Sequence, residues 1–167
     1  MTAPTGYSIR TVRDFVGHEF GASAPITVGQ DEINLFADVT GDHQWIHVDV
    51  ERACAQSPFG GPVAHGFLTL ALLAAAVGSA GVVPGDAKGV INYGVDKIRF
   101  IAPVPAGARV TARFRLDDVE DRGPKGQLLR VGAVLEVEGA DDFPNYGISI
   151  EPGRQAPEAP TDVVARS

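Results

Sequence analysis

The sequence predicts an α+β domain in which a curved antiparallel sheet wraps one long apolar helix. Three observations carry that prediction. Residues 30–40 have a helical pattern that stops at a glycine, residues 65–77 are apolar on every face, and beyond residue 90 apolar and polar residues alternate between turn signals.

The first element is Gln30–Thr40 (QDEINLFADVT), where Ile33, Phe36, Ala37 and Thr40 fall at helical spacing. Asp31 and Glu32 occupy its first turn, at the positive end of the helix dipole. Gly41 suits a left-handed cap at its end. GDHQWIHVD then reads as an irregular connection, followed by a short helix over 50–55 that Asp49 can cap. Ser57-Pro58-Phe59-Gly60-Gly61-Pro62 reads as a loop. The run 65–77 (HGFLTLALLAAAV) carries strong helix formers and ends at Gly78. It is too short for the ~20 residues that span a bilayer. A helix that is apolar all round must then be buried in protein.

The rest of the chain supplies the wrapper. Residues 91–100 read as a strand, closed by the turn 103–107. Over 109–119, Val110, Ala112, Phe114 and Leu116 share one face, and Arg109, Thr111, Arg113 and Arg115 the other. Gly123-Pro124-Lys125-Gly126 is a turn. Leu129, Val131, Ala133, Leu135 and Val137 alternate again, Asp141-Asp142 marks another turn, and 146–150 reads as a last strand. Such spacing makes an antiparallel meander. Residues 1–9 read as loose, and 11–26 as a poorly periodic entry with a short strand near 25–28. The Pro-rich, polar end reads as a disordered tail. The expected organisation is one domain over 1–151 and a tail over 152–167, with no internal repeat.

Bulk properties narrow the function. A chain of 167 residues fits one domain and buries roughly 70% of its unfolded surface, so it needs no staple. Cys54 is the only cysteine, which excludes an intrachain disulfide. The net charge of -7, with no clustered basic surface, argues against nucleic acid. MTAPTGYSIRTVRDF lacks the apolar core of a signal peptide, and no run is long enough for a membrane span. The expected location is cytoplasmic. No glycine-rich phosphate loop follows a strand, and four histidines without ligand spacing give no metal site. No cofactor is implied.

The segment LFADVTGDHQWIHVDVERA, followed by GPVAHGFLTLALL, resembles the MaoC-like (R)-specific enoyl-CoA hydratases. Their signature is close to an aromatic, a short spacer and G-D-x-N-P-[LIV]-H-x5-[AS]. Gly41, Asp42, Ile46, His47 and Ala53 match it, and His65-Gly66 matches the H-G that opens the family's central helix. INYGVDKIRFIAPVPAGARV looks like the strand-turn-strand continuation. The similarity covers roughly 27–119 and is closest to a mycobacterial-type subgroup reading NLFADxTGDHQWIHVD. One departure stands at Gln44-Trp45, where the family usually has N-P. The resemblance implies the hot-dog fold, with 65–77 as the sausage in the bun.

It also implies a reaction, the reversible hydration of a trans-2-enoyl thioester to the (3R)-3-hydroxyacyl thioester. That chemistry needs a base for water, an acid for Cα and a stabiliser for the thioester oxygen. By resemblance, Asp42 and His47 are the acid–base pair. Gly66 is the oxyanion donor, where a helix N-terminus offers unpaired N–H groups. Trp45, His65 and Phe67 are the candidate substrate-binding residues; Trp45 serves equally as a packing residue, and His65 reads first as a structural anchor for the loop before the helix. Asp38 and Asn34 read as polar surface, and His18 and His43 likewise. For a CoA ester the available cations are Lys97 and Arg99, or Arg109, Arg113 and Arg115, although strand-surface arginines equally form a solvated face. The partners expected are an enoyl-CoA or carrier-bound enoyl thioester and a second copy of the chain, since a single such sheet leaves an open edge. The alternatives are a hot-dog acyl-CoA thioesterase and a non-catalytic acyl-thioester binding module.

Overall fold

The computed structural model describes residues 3–139 and 148–150. Its elements run β1 (Ile26–Val28), α1 (Gln30–Thr40), α2 (Trp45–Val48), α3 (Val50–Gln56), α4 (Gly66–Ser79), β2 (Ile98–Phe100), β3 (Ala108–Asp121), β4 (Gln127–Val137) and β5 (Ile148–Ile150). The five strands form one sheet in the order β1-β3-β4-β5-β2, and every pairing is antiparallel. The molecule is thus α+β, with four helices inserted between β1 and the other strands of the sheet that α4 meets.

The alternation in the sequence becomes the two faces of the sheet. Val110, Ala112, Phe114 and Leu116 on β3 are buried, as are Ala133 and Leu135 on β4. They meet Leu68, Leu73 and Ala76 from α4 and Ile33 from α1 in one core. Fully burying a side chain such as Ile33, Leu116 or Leu135 contributes about 1.5–3 kcal/mol. The register of β3 against β4 shifts between Leu116 and Asp118, and an extra residue there adds twist and bend to a long strand. On the outer face, Arg109 meets Glu138 at 3.3 Å, Arg113 meets Glu136 at 3.2 Å and Arg115 meets Asp117 at 2.6 Å. The β3 arginines offered by the sequence as substrate cations are therefore already paired with carboxylates.

The helix ends follow their caps. Gly41 takes φ 77° and closes α1 through its N–H to the Ala37 carbonyl at 2.8 Å. Asp49 accepts from the Arg52 N–H at 3.0 Å and starts α3.

Four expectations are corrected. Residues 3–9 are anchored: Tyr7 is buried, its hydroxyl donates to the Val82 carbonyl at 2.8 Å, and its ring packs edge-on against Phe15 and Phe20. The entry segment runs beside β3 through bonds such as Phe20 N–H to Phe114 carbonyl at 2.8 Å, and Ser23 N–H to Ala112 carbonyl at 2.8 Å. The strand expected over 91–100 shrinks to Ile98–Phe100, preceded by Pro84, Gly85, Gly89 and Gly94 in irregular chain. There the side chains of Ile91, Tyr93 and Val95 stay exposed, with the Arg122 guanidinium 5.6 Å from the Tyr93 ring centre. The connection over 41–49 contains a one-turn helix, α2. Finally, α4 passes Gly78 to end at Ser79, and it is not wrapped on all sides: Phe67, Ala71, Ala74, Ala75 and Gly78 are exposed. Their spacing puts them on one helical face. The turn expected at Asp141-Asp142 and the tail over 152–167 lie outside the described residues.

Candidate active site

The site is built where the end of α1, the turn α2 and the start of α4 converge. The left-handed Gly41 turns the chain out of α1 and delivers Asp42 at once. The Asp42 N–H donates to Thr40 Oγ1 at 3.3 Å, and Asp42 Oδ1 accepts from the Gln44 N–H at 3.3 Å. Short polar side chains bonding to nearby backbone are what hold such a turn. Gln44 is then the cap of α2 and Trp45 its first helical residue. That is the position where proline is favoured in helices, so the departure at Gln44-Trp45 leaves the helical turn intact. Trp45 is half-buried, with the Arg52 guanidinium 4.3 Å from its ring centre.

One turn of helix carries His47 inward, to 8% exposure. Its Nδ1 lies 2.6 Å from the Val63 carbonyl oxygen. A carbonyl oxygen only accepts, so this contact assigns the proton to Nδ1 and leaves the lone pair on Nε2. Burial lowers the His47 pKa below the ordinary 6.5; the Val63 carbonyl opposes the shift, His65 adds to it and Asp42 opposes it. The imidazole is thus biased toward its neutral, basic form. From α1, Gln30 Nε2 donates to the His47 carbonyl at 2.7 Å and to Asn34 Oδ1 at 2.9 Å. Gln30 carries no motif signal, and sequence reasoning passed over it.

His65 caps α4 and is 3% exposed. Its Nε2 sits 2.9 Å from the Asp42 backbone carbonyl oxygen, and by the same argument the proton is on Nε2, which donates to it. Its ring stacks on that of His47 at 3.9 Å and 30°, and the Phe36 ring lies 5.1 Å away on the other element. Nδ1 of His65 is buried without a partner. Asp42, His47 and His65 each bring a side-chain donor atom within 4.8 Å of the others. Histidines whose linear spacing shows no ligand pattern are therefore close enough in space that a metal ion would also fit.

Gly66 opens α4. A β-carbon placed on it would lie 2.9 Å from the Phe100 ring, closer than real contacts allow, so the packing here admits only glycine without rearrangement. Phe67, by contrast, is 67% exposed and touches Phe100 with ring centres 5.7 Å apart. The sequence candidates thus divide. Asp42, His47, His65 and Gly66 come together, whereas Trp45 and Phe67 are described by contacts to Arg52 and Phe100. Asp38 and Asn34 are exposed, with Asp38 3.8 Å from His43 at the surface.

This arrangement lies within residues 12–137, which match the family described as MaoC like domain. The chain belongs to the MaoC-like family. Over 133 residues it is 50% identical to 3-hydroxyacyl-thioester dehydratase Z of Mycobacterium tuberculosis (strain ATCC 25618 / H37Rv), covering 80% of this chain and 87% of that protein. It is 48% identical over 131 residues to nodulation protein N of Rhizobium meliloti (strain 1021), covering 78% and 81%. Among solved structures it is similar to the monoamine oxidase regulatory protein from Archaeoglobus fulgius, with TM-score 0.70, 23% identity and coverage of 90% and 94%. The (R)-hydratase from A. caviae involved in PHA biosynthesis matches with TM-score 0.63, 22% identity and coverage of 81% and 91%. At such identities the structural likeness speaks to fold alone, and the fold of this MaoC-like protein is the hot dog.

Proposed function

We propose that this MaoC-like protein is a lyase that reversibly hydrates a trans-2-enoyl thioester to the (3R)-3-hydroxyacyl thioester, with Asp42 and His47 as its acid–base pair. The observation that carries the reading is the placement of an exposed carboxylate and a buried imidazole with a free Nε2 beside the start of α4. Membership of the MaoC-like family and the 50% identity to a protein named as a 3-hydroxyacyl-thioester dehydratase support it.

In hydration, an O–H bond of water breaks and its proton passes to the pair as the oxygen bonds to Cβ. The alkene electrons move toward the thioester, and its oxygen gains enolate character. The Gly66 N–H, unpaired at a helix start and aided by the dipole, offers a hydrogen bond to that oxygen. Cα then takes a proton from the pair and the enolate electrons return. The pair accepts one proton and gives one up, so it ends the cycle unchanged. His47 Nε2 is suited to receive the proton of water, because burial keeps the imidazole neutral near pH 7.

The substrate is an enoyl-CoA or its carrier-bound equivalent, and the working form is a homodimer. The exposed face of α4 and the outer edge of the three-residue β2, unpaired among the described residues, support the second statement. Among the described residues no helix is long and apolar enough to cross a membrane.

The test follows the loss of conjugated enoyl absorbance with crotonyl-CoA and a longer trans-2-enoyl-CoA, together with product chirality. Wild type is expected to consume both and to yield 3R product, with Asp42→Asn and His47→Gln each slower by at least ~100-fold. A folded wild type that leaves every enoyl thioester intact and releases free thiol from a saturated acyl-CoA would point to the thioesterase alternative.

A further inference from the structure

We propose that His65 is a positioning residue for the Asp42–His47 pair: its Nε2–H ties down the Asp42 carbonyl while its ring backs the His47 imidazole. The inference rests on the hydratase reading for its kinetic consequence but not for its geometry.

Three observations converge. His65 joins both members at once, through a 2.9 Å hydrogen bond to the backbone of Asp42 and a ring stack of 3.9 Å on His47. Among the described residues no hydrogen bond joins Asp42 to His47 directly, whereas His65 touches both. Second, His65 occupies the cap position of α4 yet makes no side-chain cap bond. Serine, threonine, aspartate or asparagine, the usual residues there, turn their side chains onto the first N–H groups of the helix. A histidine whose ring faces the pair leaves those N–H groups for a substrate oxygen. Third, the ring is 3% exposed with Nδ1 unpaired. A buried acceptor without a partner lowers stability, so packing alone would favour an apolar ring at this position.

The consequence is geometric. The 23-residue span between Asp42 and His65 is closed by one hydrogen bond, and the plane of His47 is fixed between the Val63 carbonyl and the His65 ring. A misplacement of ~1 Å at a reacting group can slow a reaction about 100-fold. The titratable groups acting on His47 are Asp42 and His65. Removing His65 takes away one of them as well as the stack.

Two variants separate the contacts. His65→Phe keeps a flat ring and removes the donor; His65→Gln keeps a donor and removes the ring. Both are compared with wild type for kcat and KM on an enoyl thioester, for melting temperature, and for the His47 imidazole titration followed by NMR without substrate. In His65→Phe we expect kcat to fall about 30- to 100-fold with KM changed by less than about threefold, as for a misplaced reacting group. The His47 titration is expected to move in the same variant, and His65→Gln, which restores a donor but not the ring, to recover only part of the lost kcat. An Asp42 carbonyl and a His47 ring that stay in place in the crystal structure of folded His65→Phe overturn the proposal, whatever the rate. So does a folded His65→Phe that keeps the wild-type kcat, or a kcat loss that merely parallels the loss of folded protein in both variants. If wild type hydrates no enoyl thioester, the hydratase reading fails and the crystal structure of His65→Phe decides the positioning role: a displaced Asp42 carbonyl or His47 ring supports it, unmoved groups end it.

Discussion

Gly66 shows how much one missing side chain can do. A β-carbon on it would meet three atoms of the Phe100 ring, the nearest at 2.9 Å. The same bare surface is where a thioester oxygen would approach the first N–H of α4. These two reasons for glycine make different predictions. Gly66→Ala should lower activity about 100-fold, the usual effect of spoiling an oxyanion donor. Adding Phe100→Ala relieves the steric clash and should restore melting temperature, but not rate. Recovery of both in the double variant would make Gly66 a packing residue and remove it from the chemistry. The residues that converge in the candidate site were legible in the sequence because a motif carries them: GDHQWIH and the later HG hold Asp42, His47, His65 and Gly66. Their coupling was not legible. The bond from His65 to Asp42 closes 23 residues, and Gln30 reaches the His47 carbonyl across 17; neither pair shares a helical or strand period, and periodicity is what a single sequence displays.

At the scale of elements, local rules sufficed where each segment's own side chains decide its fate. The bounds of α1 were readable from Ile33, Ala37 and Gly41, and β3 from its strict alternation. They failed where a segment is held by something distant. Residues 3–9 look like a loose end, rich in small and polar side chains, yet Tyr7 ties them to residue Val82 on the far side of α4. Burial pushes the Tyr7 hydroxyl up from 10.0 to about 12. The folded state therefore keeps a proton that the unfolded chain has lost between those two pH values. This contribution is complete below pH 10.0 and is lost as pH rises toward about 12. Tyr7→Phe should cost about 1 kcal/mol near neutral pH, the net worth of one hydrogen bond. Above pH 10.0 the wild type should lose stability more steeply than the variant, as followed by denaturant melts across the alkaline range. Equal slopes would mean that the phenol is not buried in the folded chain. The expected strand over 91–100 failed for the opposite reason: Ile91, Tyr93 and Val95 have the residue types of a strand, but among the described residues no strand pairs with them and they stay exposed.

For the whole molecule, these exposed apolar residues and the uncovered side of α4 belong to one argument. A helix apolar all round has no polar stripe to offer water, and α4 nonetheless presents Phe67, Ala71, Ala74, Ala75 and Gly78 to solvent. Phe67 leans on Phe100 at the end of β2, the edge strand, and Ile101 follows, half exposed. An edge strand free of bulges or proline, next to exposed aromatic rings, is what a second chain covers. Covering Phe67 and Phe100 would contribute about 1.5–3 kcal/mol for each ring fully buried. A carboxylate at the centre of that contact would be desolvated without a partner. Wild type should therefore run at twice the mass of one chain in light scattering at micromolar concentration, and Phe67→Glu should run at the mass of one chain. Because Phe67 makes little contact within its own chain, the variant should keep the wild-type circular dichroism spectrum, which separates failure to pair from failure to fold. A wild type that scatters as one chain would leave α4 open by design, and the homodimer would have to be given up.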